Sequence, residues 1–369
     1  MNEISWQTGA EGDEMLEFVA DRLSPRQWLL ASAACARRLW DVLPDGPLRQ
    51  AIDFAERALD PIPPAERAIW VKKIDAAVPG AVNAAQATQR AIVKSADPDA
   101  ATVADPVLAR PNQIAPSFPL FQAASRHAAN AVEWIGETVT EAADAVRVLF
   151  SEPNDEMFDT IRPLVEQAAG TRTRANTAAN NALRLKSEGD EHADRAAGMK
   201  NKRLAESEAL EIVRKIEEGK GRSDGDAFEV EMKRERAAAK ALARVLREIV
   251  GNAFTPPRFE PTWRTDTVVA LAKTIHEERA FERMVSLADA LLDADCDEEA
   301  ILRHCRGTEV GIKEPPQHFR GCWVVELILG RYTPPSAPKP GKKPKPKRDP
   351  LDDIFDFGPR RADDDTRLA

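Results

Sequence analysis

The chain has 369 residues, of which 43% are hydrophobic and 31% charged, and its formal net charge is -9 at pH 7. This length allows two to three domains, while the negative charge argues against general nucleic-acid binding by the body of the protein, because a phosphate backbone repels it. Alanine, leucine, glutamate and arginine are abundant and β-branched and aromatic residues are sparse, which favours helices over strands.

The first predicted segment is a compact helical module over residues 1–95. Apolar residues recur at helical spacing in DEMLEFVADRL, and Ser24 followed by Pro25 is typical of a helix start. The stretches PDGP and PIPP separate the segments that follow, the last of which reads AERAIWVKKIDAAV. We therefore expect several short helices that are stable only when they pack on one another.

A proline-rich linker is predicted over residues 96–120, because proline at this density forbids a continuous helix. Residues 121–245 are rich in alanine and in alternating charges, a composition typical of exposed or coiled-coil helices. They predict a helical hairpin or bundle. A coiled coil stays open as an alternative, although no strict heptad pattern is sustained, and it would allow self-association through these helices.

A second helical module is predicted over residues 246–332. Thr265 is suited to cap a helix whose apolar face includes Val268 and Ile275. The segment DEEAILRHC carries acidic residues in its first turn, which favours a helix start there. GCWVVELILGRY supplies a further apolar element, so this module contains enough apolar surface for a core of its own.

The tail, residues 333–369, is rich in lysine and proline and then becomes acidic. Such a composition buries too little apolar surface to offset the entropy of ordering, so disorder is expected. The stretch LDDIFDFGP has the pattern of a short docking peptide for a protein partner. The residues predicted to make interactions here are Lys342, Lys343, Lys345, Lys347, Arg348, Ile354, Phe355 and Phe357.

The basic part of the tail is also a candidate for nucleic-acid association, since a flexible cationic arm attracts phosphates. Asp349, Asp352 and Asp353 follow it directly. Neighbouring opposite charges weaken the field of such an arm within a Debye length. We therefore interpret the arm as a solvated linker and keep nucleic-acid association as an alternative.

The segment that runs from LREIVGNAFTPPRFEPTWRTDTVVALAKTIHEERAFERMVSLADALLDADCDEEAILRHCRG to FRGCWVVELILG resembles a module of hypothetical proteins from planctomycete bacteria. The opening MLEFVADRLSPRQWLLASAACARRLWDVL resembles the N-terminal module that accompanies it. The resemblance implies a bacterial and cytoplasmic protein, and it implies no chemistry. The family joins the two parts of the C-terminal match by a shorter connection than TEVGIKEPPQHF, which indicates a tolerant surface loop here.

Cysteines and histidines cluster near the C-terminus, and zinc is bound by these residue types in a tetrahedral shell. Two features argue against a site: no C-x-x-C spacing occurs, and the adjacent His304 and Cys305 would point about 100° apart on a helix. We interpret them as packed residues and free thiols, and keep a zinc site as the alternative. The candidate ligands are Cys296, His304, Cys305, His318 and Cys322.

A thiol nucleophile is a further alternative. It would require Cys305 or Cys322 beside a histidine such as His318 or His276. No sequence motif places these groups together, and no Walker loop, dinucleotide fingerprint or nucleophile elbow is present. We therefore predict no catalytic residue and no cofactor.

The sequence as a whole predicts an all-α, non-enzymatic protein that acts as an interaction or scaffold protein for an unknown protein partner. No uncharged apolar stretch reaches the length of a membrane span, and the N-terminus lacks the pattern of a signal peptide. A cytoplasmic location without membrane attachment is therefore expected.

Overall fold

A computed structural model of the chain contains α-helices and short 3-10 segments, and no strand occurs in the part of the chain that it describes. The predicted all-α fold is confirmed. No helix in that part is both long and apolar enough to cross a lipid bilayer. The residues described are 1–58, 62–94, 117–198, 201–218, 224–308 and 318–336.

The N-terminal helices begin where the sequence places caps. The Ser24 hydroxyl accepts a hydrogen bond from the backbone N–H of Gln27 at 3.2 Å, and the Gln27 side chain returns to the Ser24 backbone, so the predicted helix start is confirmed as a capping box. The helices are α1 (Glu3–Thr8), α2 (Gly12–Val19), α3 (Pro25–Arg37), α4 (Pro47–Arg57) and α5 (Pro64–Val93).

Helix α5 differs from the prediction of short helices only, because it continues through Pro79 over 30 residues. Proline removes one backbone hydrogen bond from a helix interior and clashes with the preceding turn. Packing outweighs this local cost: Ile74 and Ala81 are buried on either side of the proline. Tertiary contacts along a long helix therefore override a local breaker.

The central region forms the predicted alanine-rich hairpin from α6 (Phe118–Val148) and α7 (Asp155–Ala197). The two helices run antiparallel, since Phe121 packs against Gly189 near one end and Gln167 donates to Glu141 further along. Small side chains bring the helices close together; helix α8 (Lys202–Glu217) packs on both. The coiled coil remains a prediction.

The C-terminal part contains a second hydrophobic cluster formed by the four helices that follow α9 (Asp224–Val250), whereas the buried apolar residues of α9 belong to a first hydrophobic cluster shared with the N-terminal helices. The Thr265 hydroxyl accepts from the backbone N–H of Val268 at 3.3 Å, which confirms the predicted cap. The helices that follow α9 are α10 (Asp266–Glu278), α11 (Met284–Asp293), α12 (Glu299–Arg306) and α13 (Trp323–Ile328).

Residues 1–335 form one compact unit. The Trp6 indole donates to the carbonyl of Gly251 at 2.8 Å, and the Tyr332 hydroxyl donates to the carbonyl of Val250 at 2.7 Å. The end of α9 therefore contacts both ends of this unit. The four-part division predicted for it remains a prediction, and most of the predicted linker and tail lies outside the described residues.

Candidate metal centre

Helix α9 positions an acidic side chain where its neighbours are apolar. Glu248 is only 4% exposed and lies beside Leu246, Ile249 and Val250, which are buried. Gly251 follows the helix with a φ of +67°, in the left-handed region that glycine adopts easily. The carboxylate is therefore held inside the protein just before the helix ends.

Helix α12 supplies an imidazole to the same region. His304 is 2% exposed and its ring lies 5.1 Å from the ring of Trp323. The helix stops at Gly307, which has a φ of +67° and acts as a left-handed cap. The last turn of a short helix thus fixes the direction of the His304 ring.

The segment of residues 318–323, which we call the ligand loop, brings a second imidazole and a thiol. His318 is its first residue, and Cys322 immediately precedes Trp323, the residue at which the loop ends and α13 begins. Gly321 has a φ of +106°, a conformation that favours glycine. The turn at Gly321 allows both side chains to face the carboxylate on α9.

Four donor atoms, one from each of these residues, lie within 4.8 Å of one another. His304 Nε2 lies 3.2 Å from Cys322 Sγ and 3.5 Å from Glu248 Oε2. His318 Nδ1 lies 2.9 Å from Glu248 Oε1. The donor atoms therefore converge on a common point, which we call the metal centre: Glu248, His304, His318 and Cys322.

Mutual contact shifts the protonation of these groups. Burial alone would raise the pKa of Glu248, but the two imidazoles lower it to about 2. Burial disfavours a charged imidazole, yet Glu248 and Cys322 raise the pKa of His304 well above its usual range. Contacts with Cys322 and Glu248 likewise outweigh burial and raise the pKa of His318 to about 9. The carboxylate is thus ionised inside the protein, and both imidazoles must release their protons before they can bind a metal ion.

The spacing suits a tetrahedral metal ion. With bonds of roughly 2.0–2.3 Å to nitrogen, oxygen and sulfur, the donor atoms of a tetrahedral shell lie roughly 3.3–3.8 Å apart. The separations of 3.2 Å and 3.5 Å around His304 Nε2 are close to these values, whereas the 2.9 Å between His318 Nδ1 and Glu248 Oε1 is a hydrogen-bond distance that would have to lengthen around an ion. Two imidazole nitrogens, one sulfur and one oxygen form a donor set that zinc accepts.

The imidazole of His304 is not placed as in a catalytic Cys–His–carboxylate triad, while the alternative that pairs Cys322 with His318 stays a prediction. In a Cys–His–carboxylate triad, one ring nitrogen faces the thiol and the other faces the carboxylate. Here the same nitrogen of His304 faces both Cys322 Sγ and Glu248 Oε2. One N–H cannot donate well to both groups, whereas a metal ion at the common point satisfies all of them.

The structure unites three of the predicted candidate ligands and separates the other two. His304, His318 and Cys322 meet in the metal centre, while Cys296 and Cys305 are not part of it. Of the adjacent His304 and Cys305, only His304 therefore joins the cluster, as their divergence on a helix predicts, and metal binding by the three candidates that meet there stays a prediction. Burial raises the pKa of the Cys305 thiol to about 12, although the neighbouring His304 opposes this shift.

Sequence reasoning missed Glu248. One signal was available, since this residue lies three positions after Val245 on the apolar side of α9, where an unpaired charge is costly. The four cysteines are free and buried, as predicted. The tail residues predicted to make interactions, between 342 and 357, lie outside the described residues.

A further buried histidine, His276, lies outside the metal centre. Arg331 Nη1 lies 3.2 Å from His276 Nε2, which therefore acts as an acceptor, and His276 Nδ1 faces Glu326 at 3.5 Å. Burial, followed by Arg331, Arg320 and Arg26, lowers the pKa of His276 to about 4. The folded protein thus prefers this imidazole neutral.

We expect His276 to make stability depend on pH. The unfolded chain takes up this proton near pH 6.5 and the folded protein only near pH 4, so the stabilisation from neutral His276 is complete above about pH 6.5 and is lost as the pH falls towards about 4. The difference in unfolding free energy between the wild type and His276→Asn should therefore shrink over this interval in denaturant titrations. A constant difference from pH 7 to pH 4 would contradict the assignment.

Comparison of the chain with protein-family models, with curated proteins and with solved structures finds no match. The resemblance to a planctomycete family therefore remains a prediction.

Proposed function

We propose that this protein binds a divalent transition-metal ion, zinc by preference, at the metal centre. The observation that supports it is the convergence of four donor atoms, from three separate parts of the chain, on one buried point. Buried ionisable groups are costly unless they are paired or coordinate a metal. An ion here would satisfy all four side chains at once.

The donor set supports zinc over calcium or magnesium. Hard cations take oxygen ligands and six or more positions, whereas this site offers a single carboxylate with two imidazoles and one sulfur. Nitrogen and sulfur ligands select zinc and related late transition metals. Cobalt(II) accepts the same geometry and is therefore a suitable spectroscopic substitute.

The proposed role of the metal is structural. Catalytic zinc sites keep one position open to solvent, whereas structural sites are closed by four protein ligands. Glu248 and His304 are less than 5% exposed and Cys322 is fully buried. A closed site of this kind would hold α9, α12 and the ligand loop together without a covalent bond.

The test is the metal content of the full-length protein. We expect close to one zinc per chain by elemental analysis of protein purified without chelator, and a stoichiometric uptake of cobalt(II) by the chelated protein. Cys322→Ser should lose most of this binding. Cys305→Ser is the matched control, because Cys305 is an equally buried thiol next to His304 and should retain it.

Two results would contradict the proposal. One is a full-length protein that is folded, as judged by circular dichroism, and takes up neither zinc nor cobalt(II) at micromolar concentrations. The other is equal metal loss in Cys322→Ser and Cys305→Ser, which would mean that the ion binds elsewhere or follows stability alone.

The interaction role predicted for the tail and the nucleic-acid alternative are separate proposals. Both depend on residues beyond position 336, which the structure does not describe. A structural metal is compatible with either role, and with the predicted absence of catalysis, because it stabilises a fold without performing a reaction.

A further inference from the structure

The ligand loop carries residues of two kinds. His318 and Cys322 face the metal centre. The residues between them face other parts of the fold: Phe319 packs against the first hydrophobic cluster, and a Cβ at Gly321 would lie 3.2 Å from Leu30 on α3. The loop is therefore a short bridge between the metal centre and the N-terminal helices.

Arg320 lies in the middle of this bridge and is only 3% exposed. Its Nε donates to the carbonyl of His276 at 2.8 Å, and its Nη2 donates to the carbonyl of Glu277 at 2.8 Å. Its Nη1 donates to Asp53 at 3.1 Å and to Glu56 at 3.2 Å. The guanidinium thus joins the end of α10 to α4 while its backbone lies between two metal ligands.

Glu56 accepts hydrogen bonds from Arg320 and from two further arginines. It is 1% exposed and also accepts from Arg37, at 2.9 Å and 2.6 Å, and from Arg279. Bidentate arginine–carboxylate bonds fix geometry as well as charge. We call Glu56 with Asp53, Arg37, Arg279 and Arg320 the arginine cluster.

The arginine cluster contains two kinds of arginine. Arg37 and Arg279 contact Glu56 from α3 and from the end of α10, and neither lies on the ligand loop. Arg320 is the member that shares a six-residue segment with two metal ligands. A shift of the backbone at this arginine would also move His318 and Cys322, since each is within two residues of it.

We infer that Arg320 is a positioning residue of the metal centre, and that metal binding and the docking of α4 on the ligand loop reinforce each other. This inference rests on the proposed metal function. When Arg320 is bound to Glu56, the loop presents His318 and Cys322 in the binding geometry. The loop therefore loses less conformational freedom when the ion binds. Linkage is reciprocal, so a bound ion must strengthen the contact between Arg320 and Glu56 by the same factor.

The test compares Arg320→Gln with Arg279→Gln in the full chain, by chelator competition for zinc and by the cobalt(II) spectrum. Both variants remove one arginine from Glu56, but only the first alters the ligand loop. Removal of a side chain that supports a metal ligand typically lowers metal affinity by about 10–100-fold. We expect zinc affinity to fall within this range in Arg320→Gln and by less than about threefold in Arg279→Gln. Arg320→Lys should restore part of the affinity. The cobalt(II) spectrum should change in Arg320→Gln alone.

A second measurement uses the wild type and does not depend on a variant that folds. Zinc added to chelated protein should slow amide hydrogen exchange in α4, which holds Glu56, by a larger factor than in the middle of the α6–α7 hairpin near Gln167. Equal affinity loss in Arg320→Gln and Arg279→Gln, or slowing in α4 no larger than in the hairpin, would overturn the inference while the metal function stands. A wild type that binds no metal would overturn both.

Discussion

Glu56→Gln is expected to lower the free energy of unfolding by about 3–5 kcal/mol, because it removes the charge that the buried Arg320 shares with Arg37 and Arg279 and leaves Asp53 as the remaining carboxylate of the cluster. Three guanidinium groups, from Arg37, Arg279 and Arg320, donate to this one side chain, which is 1% exposed. Glutamine has nearly the same shape, so the loss reports the charge and its hydrogen bonds rather than a cavity. Chemical denaturation followed by circular dichroism measures it.

The control is Glu278→Gln, which makes the same charge change on an exposed residue at the end of α10. Surface substitutions of this kind usually change stability by less than about 0.5 kcal/mol. A loss of under 1 kcal/mol for Glu56→Gln would show that water reaches the arginine cluster and screens it. A large loss confined to Glu56→Gln supports the view that this carboxylate holds α4 to the C-terminal helices.

Removal of the metal is expected to destabilise the protein by a similar amount. An ion that binds only the folded chain stabilises it by about 4 kcal/mol when the free ion is at 1,000 times its dissociation constant. Wild-type protein in excess chelator should therefore unfold at lower denaturant than protein with zinc. A bound ion would connect Glu248 on α9 to His304 on α12 and to the ligand loop, so these contacts should weaken when it is removed.

Cys322→Ser provides the matched comparison for this effect. Its stability should be nearly the same with zinc and with chelator, since one of the four donors is weakened and the rest of the chain is unchanged. A zinc effect of equal size in Cys322→Ser and in the wild type would assign the stabilisation to another site. An unchanged wild type would argue that imidazole–carboxylate pairing alone maintains the region.

The two predictions concern neighbouring parts of one arrangement. The ligand loop joins the arginine cluster to the metal centre, because Arg320 belongs to the first and His318 and Cys322 belong to the second. In the arginine cluster, several arginines donate hydrogen bonds to one buried carboxylate. In the metal centre, four side chains would coordinate one buried cation. Together they would join the C-terminal helices to α4 through a segment of only six residues.

Local structure was readable from the sequence because near neighbours decide it. Helical spacing predicted the all-α fold, and Ser24 and Thr265 marked helix starts that the hydrogen bonds confirm. Caps act within three residues, so the relevant partners are adjacent in the sequence. The free cysteines followed from composition, since a long chain with few cysteines seldom builds a disulfide framework.

Only the tertiary structure decided the path of α5 through Pro79 and the composition of the metal centre. Burial against other helices stabilises α5, and local propensity contains no information about that burial. Glu248 and His304 are far apart in sequence, and no spacing rule connects them; they meet because α9 and α12 end at the same place. Donor residues thus appear in the sequence, but their convergence depends on how helices pack, which is set by apolar contacts elsewhere in the chain.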